Sequence, residues 1–189
     1  MPMRLFVALE LDETTRAALV EAIARLREHS PKIKWVRPEQ LHVTVRFLGD
    51  VVEDELRPVC AAVDAAAAQA APFVLEVAGL GCFPDLRRPR VLWAGAAGGA
   101  DAAAELHDAL KAELAPLGFD PDRRAYRPHV TLGRIKAPGH ARNLEPLLPG
   151  EASTRFGAVD TDHLTVFLSE LKRGGARYSP IHRAPLGAG

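Results

Sequence analysis

Two short segments far apart in the chain share one pattern. Leu41-His42-Val43-Thr44-Val45-Arg46 and Pro128-His129-Val130-Thr131-Leu132-Gly133 both read His-Val-Thr-aliphatic, with the histidines 87 residues apart in a chain of 189. Each copy is short, rich in β-branched residues and preceded by a proline-containing turn, so each reads as a strand. Their separation is close to half the chain. That predicts two similar lobes, each giving one strand to a shared cleft.

Side chains alternate across a strand with period two. His42, Thr44 and Arg46 then share one face, and Val43, Val45 and Phe47 the other. In the second copy His129 and Thr131 oppose Val130 and Leu132. The aliphatic faces fit a core. Imidazole and hydroxyl on a half-buried face need partners. A lone histidine on a strand is usually a hydrogen-bonded structural residue, but two matched copies weigh against that reading. The alternative is a cleft in which two imidazoles face each other across a small anionic group. One neutral imidazole takes a proton from water while a protonated one gives a proton to a departing oxygen. The threonine hydroxyls and nearby backbone N–H groups hold the non-bridging oxygens. A strained cyclic phosphodiester needs little more, and protons serve both oxygens, so neither a metal nor a cofactor is expected.

The rest of the chain alternates helix and strand. Arg4–Glu10 reads as a strand, and Asp12 as the N-cap of a helix containing Ala18, Ile23 and Leu26 and stopped by Pro31. A strand over Leu41–Leu48 closes at Gly49-Asp50. Val52–Ala71 is an Ala-rich helix with Pro58 inside it and Pro72 after it. Phe73–Leu80 and Arg90–Gly95 read as strands around a loop, Gly81–Pro89. Ala102–Leu117 is a third helix ended by Gly118, Pro128–Ile135 a strand, and Asn143–Leu148 a short helix. Leu164–Leu171 and Tyr178–Arg183 flank a hairpin turn at Arg173-Gly174-Gly175. Frequent hairpins favour an α+β fold over a wholly parallel sheet.

Composition narrows the function classes. Hydrophobic residues make up 48% and charged residues 25%, as in an ordinary globular chain. Lys and Arg total 24, as do Asp and Glu. Non-specific gripping of nucleic acid needs a basic excess, so any nucleic-acid role rests on a local pocket. Cys60 and Cys82 are too few for a disulfide framework and fit a reduced, cytoplasmic chain. No window approaches a membrane span. HExxH, CxxC, GxxxxGK[ST], a strand-linked GxGxxG and GxSxG are all absent, which leaves metalloprotease, triphosphate and serine-nucleophile chemistry unsupported. His29, His107, His140, His163 and His182 are scattered and read as surface or structural residues.

The two HxTx motifs, H42-V-T-V and H129-V-T-L, resemble those of the two-histidine phosphoesterase superfamily. The segments RLFVALEL, WVRPEQLHVTVRFLGD, FPDLRRPRVLWAG, YRPHVTLGRIK and LSELKRGGARY look like the 2′-5′ RNA ligase family of RNA 2′,3′-cyclic phosphodiesterases, over Arg4 to about Tyr178. The resemblance implies one bilobal α+β domain over residues 1–189, with two antiparallel sheets flanked by helices, pseudo-two-fold related lobes and a central cleft. It implies hydrolysis of RNA 2′,3′-cyclic phosphate ends to 2′-phosphomonoesters, with reversible 2′-5′ ligation of tRNA halves. It assigns His42 as proton donor and His129 as proton acceptor, with Thr44 and Thr131 binding the phosphate. The residues alone leave open which histidine is acid and which is base. Phe47 resembles a base-stacking position and Arg134 a phosphate- or base-binding one. Strand parity turns both away from their histidines, and a bulge at Gly133 would bring Arg134 round. Without such a device Phe47 belongs to the core. Arg46 has cleft parity or is solvated, and Tyr126 lines the pocket or packs. Arg87, Arg88 and Arg90 steer RNA or form a solvated run. A soluble monomer acting on RNA ends, away from membranes, is expected. The alternatives are a cyclic phosphodiesterase for a small nucleotide, or a non-catalytic module binding nucleotides or RNA ends.

Overall fold

The computed structural model describes residues 2–119, 125–173 and 175–187. Its elements run β1 (Met3–Leu9), α1 (Glu13–His29), β2 (Lys34–Trp35), β3 (Val43–Val51), α2 (Glu53–Ala68), β4 (Phe73–Phe83), β5 (Val91–Ala96), α3 (Ala100–Leu114), β6 (His129–Arg134), β7 (Arg155–Thr161), β8 (His163–Lys172) and β9 (Gly175–Pro185). The α+β class expected from the hairpins is the class observed.

The strand order is β7-β4-β5-β6-β3-β1-β8-β9, with β2 on β6, and every pairing is antiparallel. The two expected sheets are the two halves of this one curled sheet, β6-β5-β4-β7 and β3-β1-β8-β9. They join where β3 meets β6, with Val43 opposite Val130. Each half therefore brings its own His-x-Thr segment to the seam.

Helix positions follow from spacing. Thr15, Leu19, Ala22, Ile23 and Leu26 recur at helical period and form the buried stripe of α1. Asp12 caps it by accepting from Thr15 N at 2.7 Å. The helix lies so close to β7 that a Cβ on Gly157 would fall 2.0 Å from Thr15 Oγ1, so this position tolerates no side chain. Val59, Ala62, Val63, Ala66 and Ala67 form the matching face of α2, which packs on α3, β8 and β9. In α3 the buried set is Ala103, Leu106, His107, Leu110 and Leu114. One buried apolar cluster runs from Leu5 to Leu186 through both halves. Among the described residues no helix is long and apolar enough to cross a membrane.

Several boundaries differ from the sequence reading. Strand β4 continues through Gly81 and Cys82 to Phe83, because β5 supplies a partner as far as Val91. Residues 143–147 form turns rather than an α-helix, and Leu148–Glu151 is one turn of 3-10 helix. Pro146 and Pro149 lack the donors an α-helix requires, and the segment makes three-residue bonds such as Leu144 N to Ala141 O at 2.9 Å. Strand β7 was not expected from its sequence. Its glycine and charged residues give a weak local signal, and pairing with β4 recruits it. The β8–β9 hairpin is present, with Gly174 of its turn outside the described residues.

Candidate active site

The antiparallel register around Val43 and Val130 carries His42 toward Thr131, and Thr44 toward His129. The two copies are thus related by a local two-fold axis through the seam. Their aliphatic sides behave as expected. Val43, Val45, Val130 and Leu132 are all buried, while His42, Thr44, His129 and Thr131 are half-buried.

Both imidazoles are held by one local device. His42 Nδ1 lies 2.7 Å from Gln40 O, and His129 Nδ1 lies 2.7 Å from Arg127 O, in each case the carbonyl two residues earlier. A carbonyl can only accept, so each Nδ1 carries the proton and each Nε2 is left as the basic nitrogen. Thr44 Oγ1 sits 2.9 Å from His42 Nε2 and can donate to it. The turn before His42 is itself pinned. Arg16 donates to Pro38 O at 2.9 Å, and the Gln40 amide donates to Ala176 O on β9.

Aromatic rings wall the two histidines. Phe6 lies 4.8 Å from the His42 ring and Tyr178 stands edge-on to it at 5.5 Å. Phe83 stands edge-on to His129 at 5.1 Å. Trp93 sits opposite Thr131 and 5.1 Å from Phe83. Its indole passes over Gly81, where a Cβ would come within 2.4 Å of the ring, so the glycine is what lets the indole lie flat. Burial among these groups pushes the His42 imidazole down to about 4, against the pull of the Gln40 carbonyl and with help from the charges of His129, Arg134 and Arg16. His129 is lowered for the same first reason, opposed by the Arg127 carbonyl and aided by Arg134.

Two bulges decide which flanking residues reach the cleft. Opposite β1, Val7 pairs with Arg46 and Ala8 with Thr44, so Val45 is an extra residue in β3. Opposite β5, Leu92 pairs with Gly133 and Trp93 with Thr131, so Leu132 is extra in β6. A bulge reverses the parity of everything after it. Arg46 is therefore buried at 4% exposure instead of facing the cleft, and Phe47 stands 66% exposed instead of packing in the core. Phe47 lies opposite Phe6 with ring centroids 6.0 Å apart, on the face that carries His42. The β6 bulge falls at Leu132-Gly133, where Arg134 needed it. Arg134 is exposed, and its charge acts on both histidines.

Tyr126 packs rather than lining an open pocket. Its hydroxyl donates to Thr44 O at 3.1 Å, and its ring stacks on His107 at 4.4 Å. His107 Nδ1 in turn donates to Val45 O at 2.9 Å. These are the carbonyls of the β3 bulge. Sequence reasoning missed this role of His107; the one available signal was a histidine on the buried stripe of a helix. It also missed Phe6, Phe83, Trp93 and Tyr178 as the rings around the imidazoles. Among the described residues no three His, Cys, Asp or Glu side chains gather as a metal site.

The model of the LigT-like phosphoesterases matches this chain twice, over residues 9–93 and 95–178, one match for each His-x-Thr copy. The chain belongs to that family. A relative from Methanothermobacter thermautotrophicus is 32% identical over 181 residues, covering 96% of this chain and 97% of its own; it is named RNA 2′,3′-cyclic phosphodiesterase. A solved structure from Thermus thermophilus superposes with a TM-score of 0.80 at 34% identity, covering 98% and 99% of the two chains. Escherichia coli LigT, solved in complex with 3′-AMP, shares the fold with a TM-score of 0.76 at 24% identity and covers 98% and 99%.

Proposed function

We propose that this LigT-like phosphoesterase hydrolyses 2′,3′-cyclic phosphate ends of RNA to 2′-phosphomonoesters without a metal, using His42 and His129 as an acid–base pair. The observation that supports it most is the seam itself, where two imidazoles are each anchored through Nδ1 to the carbonyl two residues back and leave Nε2 basic, that of His42 beside the Thr44 hydroxyl. The name of the Methanothermobacter relative supplies the substrate class.

A cyclic phosphate between the rings puts O3′ near His42 Nε2 and the attacking water, in line with the P–O3′ bond, near His129 Nε2. Water attacks phosphorus, its proton passes to His129 Nε2, and the P–O3′ bond breaks. His42 gives its Nε2 proton to O3′. Thr44 and Thr131 hold the non-bridging oxygens. The donor and acceptor assignment rests on the family resemblance. The depressed imidazole of His42 makes it a poor proton carrier in the empty cleft, and the incoming phosphate anion restores its basicity. If a 5′-hydroxyl of a second RNA replaces water, the same proton transfers form a P–O5′ bond. This is 2′-5′ ligation, and it suits halves of a cleaved tRNA.

The test is hydrolysis of a short RNA bearing a 2′,3′-cyclic phosphate, with EDTA present and the product end identified. A 2′-phosphate, and activity lost in both His42→Ala and His129→Ala, is expected. A 3′-phosphate, or turnover that survives either substitution, overturns the assignment.

A further inference from the structure

Three parts of the chain converge on the turn that precedes His42. Pro38–Gln40 is a single turn of 3-10 helix, closed by Gln40 N on Arg37 O at 2.9 Å and by Leu41 N on Pro38 O at 3.2 Å. So short a turn is weakly held by its own bonds. Yet its Gln40 carbonyl is the group that accepts from His42 Nδ1 at 2.7 Å. On one side the Gln40 amide ties the turn to Ala176 O of β9. On the other side stands Arg16 of α1.

Helix formation does not explain Arg16. It ends the first turn of α1, four residues after the cap Asp12, where a cation opposes the helix dipole. Its contact with Glu13 is long, Nε to carboxylate at 3.8 Å, and the Glu13 side chain is 91% exposed, so that pair is weak. The guanidinium reaches backbone carbonyls instead. Nη1 donates to Pro38 O at 2.9 Å and to Leu41 O at 3.5 Å, and Nη2 donates to Leu11 O at 3.1 Å. Leu41 O belongs to the peptide bond that enters His42, and Leu11 O stands just before the helix cap. One planar fork therefore fastens the start of α1 to the turn, a span that the single ammonium of a lysine does not cover. The charge is also felt at the ring. Burial is the main cause of the lowered His42 imidazole, and Arg16 adds to it.

We infer that Arg16 is a positioning residue for His42, holding the turn so that the Gln40 carbonyl keeps the imidazole in one orientation and one tautomer. The inference rests on the reading above, that His42 moves a proton in the cleft. The carbonyl accepts the Nδ1 proton whether the ring is neutral or charged, so it fixes where Nε2 points throughout the reaction. A turn freed from Arg16 lets the carbonyl swing, and the ring follows it. The three acceptors of Arg16 are all backbone carbonyls, so it acts through the turn and not on the substrate.

The experiment measures kcat and KM on a cyclic-ended RNA, the urea midpoint, and the ¹⁵N spectrum of the histidine rings above neutral pH, where both imidazoles are neutral. Arg16→Met should lower kcat by about 10- to 100-fold with KM little changed, the effect expected of a displaced reacting group. In the native protein both rings should carry the proton on Nδ1. In Arg16→Met, His42 should become a mixture of tautomers, while His129, anchored to Arg127 O in the other half of the sheet, should keep its signature. Arg16→Lys keeps the charge and one donor, and should recover only part of kcat and of the His42 signature. Glu13→Gln leaves the carbonyl bonds in place and should alter none of these. A native kcat in Arg16→Met, an unshifted His42 signature, or an equal change at both histidines overturns the inference. Should Arg16→Met fail to fold, Arg16→Lys decides on the same readouts, and a fully native kcat and signature there overturn it. Activity that survives His42→Ala instead overturns the reading of the cleft, while the ring signatures still report on Arg16.

Discussion

The two halves of the sheet repeat one backbone device and fill it with different chemistry. In each, a histidine bonds through Nδ1 to the carbonyl two residues back, a threonine follows at the second position, and a bulge comes at the third. The bulge turns the residue five beyond the histidine into the cleft. In the β3 half that residue is Phe47, and the histidine is walled by Phe6 and Tyr178. In the β6 half it is Arg134, and the histidine stands against Phe83, which in turn meets Trp93. The repeated part fixes two basic nitrogens on either side of one seam. The divergent part makes one wall apolar and the other cationic, as a substrate with a base on one side of a phosphate would require.

The strongest way to break this comparison is to remove one imidazole at a time. His42→Ala and His129→Ala should each lower kcat/KM by about 10²- to 10⁴-fold, the usual contribution of one positioned proton transfer. The double variant should fall by far less than the product of the two losses, because acid and base act in one step. A fall in one variant alone means that the halves are alike in backbone and unlike in catalysis.

The next effect separates the halves by what supports them. The β3 bulge is held by Tyr126 on Thr44 O and His107 on Val45 O. Tyr126→Phe leaves the Thr44 carbonyl without that donor and should cost about 1–3 kcal/mol in urea unfolding. It should also lower kcat more than it raises KM, since it loosens the strand that carries His42. An unchanged midpoint means that the clamp is not needed for the bulge.

How far the sequence reaches is clear from these same strands. The frequent hairpins carried the class of the fold, and the repeated His-x-Thr pattern carried which side chains of the two strands stay out of the core, because period two is a local property. The parity argument failed at Arg46 and Phe47 because a bulge is set by the partner strand. Register with β1, not the residues of β3, decides that Val45 is extra. For Arg134 the glycine at 133 was a usable hint. Nothing comparable marks Val45. The aromatic walls come from β1, β4, β5 and β9, so no window of sequence contains them.

A smaller effect lies in pH. Both imidazoles are depressed, His42 to about 4, and the productive free enzyme carries one proton on the pair beyond the two on the Nδ1 atoms. That form is most populated between the two apparent values, so kcat/KM should peak on the acid side of the ordinary imidazole value of about 6.5 and fall as pH rises through neutrality. Arg134 lowers both imidazoles, so Arg134→Met should move the descending limb to higher pH, while Phe47→Ala should not move it. A limb that stays in place in Arg134→Met puts the guanidinium outside the field of the pair.

The smallest effect isolates the divergent position of the β3 half. Phe47 is 66% exposed and contributes little to the core, so Phe47→Ala should change unfolding stability by no more than about 0.5 kcal/mol. The ring nevertheless faces the cleft across from Phe6, where a base can stack. Base stacking on an aromatic side chain is worth about 1–3 kcal/mol by alanine substitution, so KM for a cyclic-ended RNA should rise by roughly 5- to 100-fold. The kcat should hold, since the reacting atoms are served by the histidines and threonines. Phe47→Tyr keeps a ring of similar size and should restore KM. A KM unchanged in Phe47→Ala leaves the base to the β6 half, and the apolar wall then serves only to keep His42 dry.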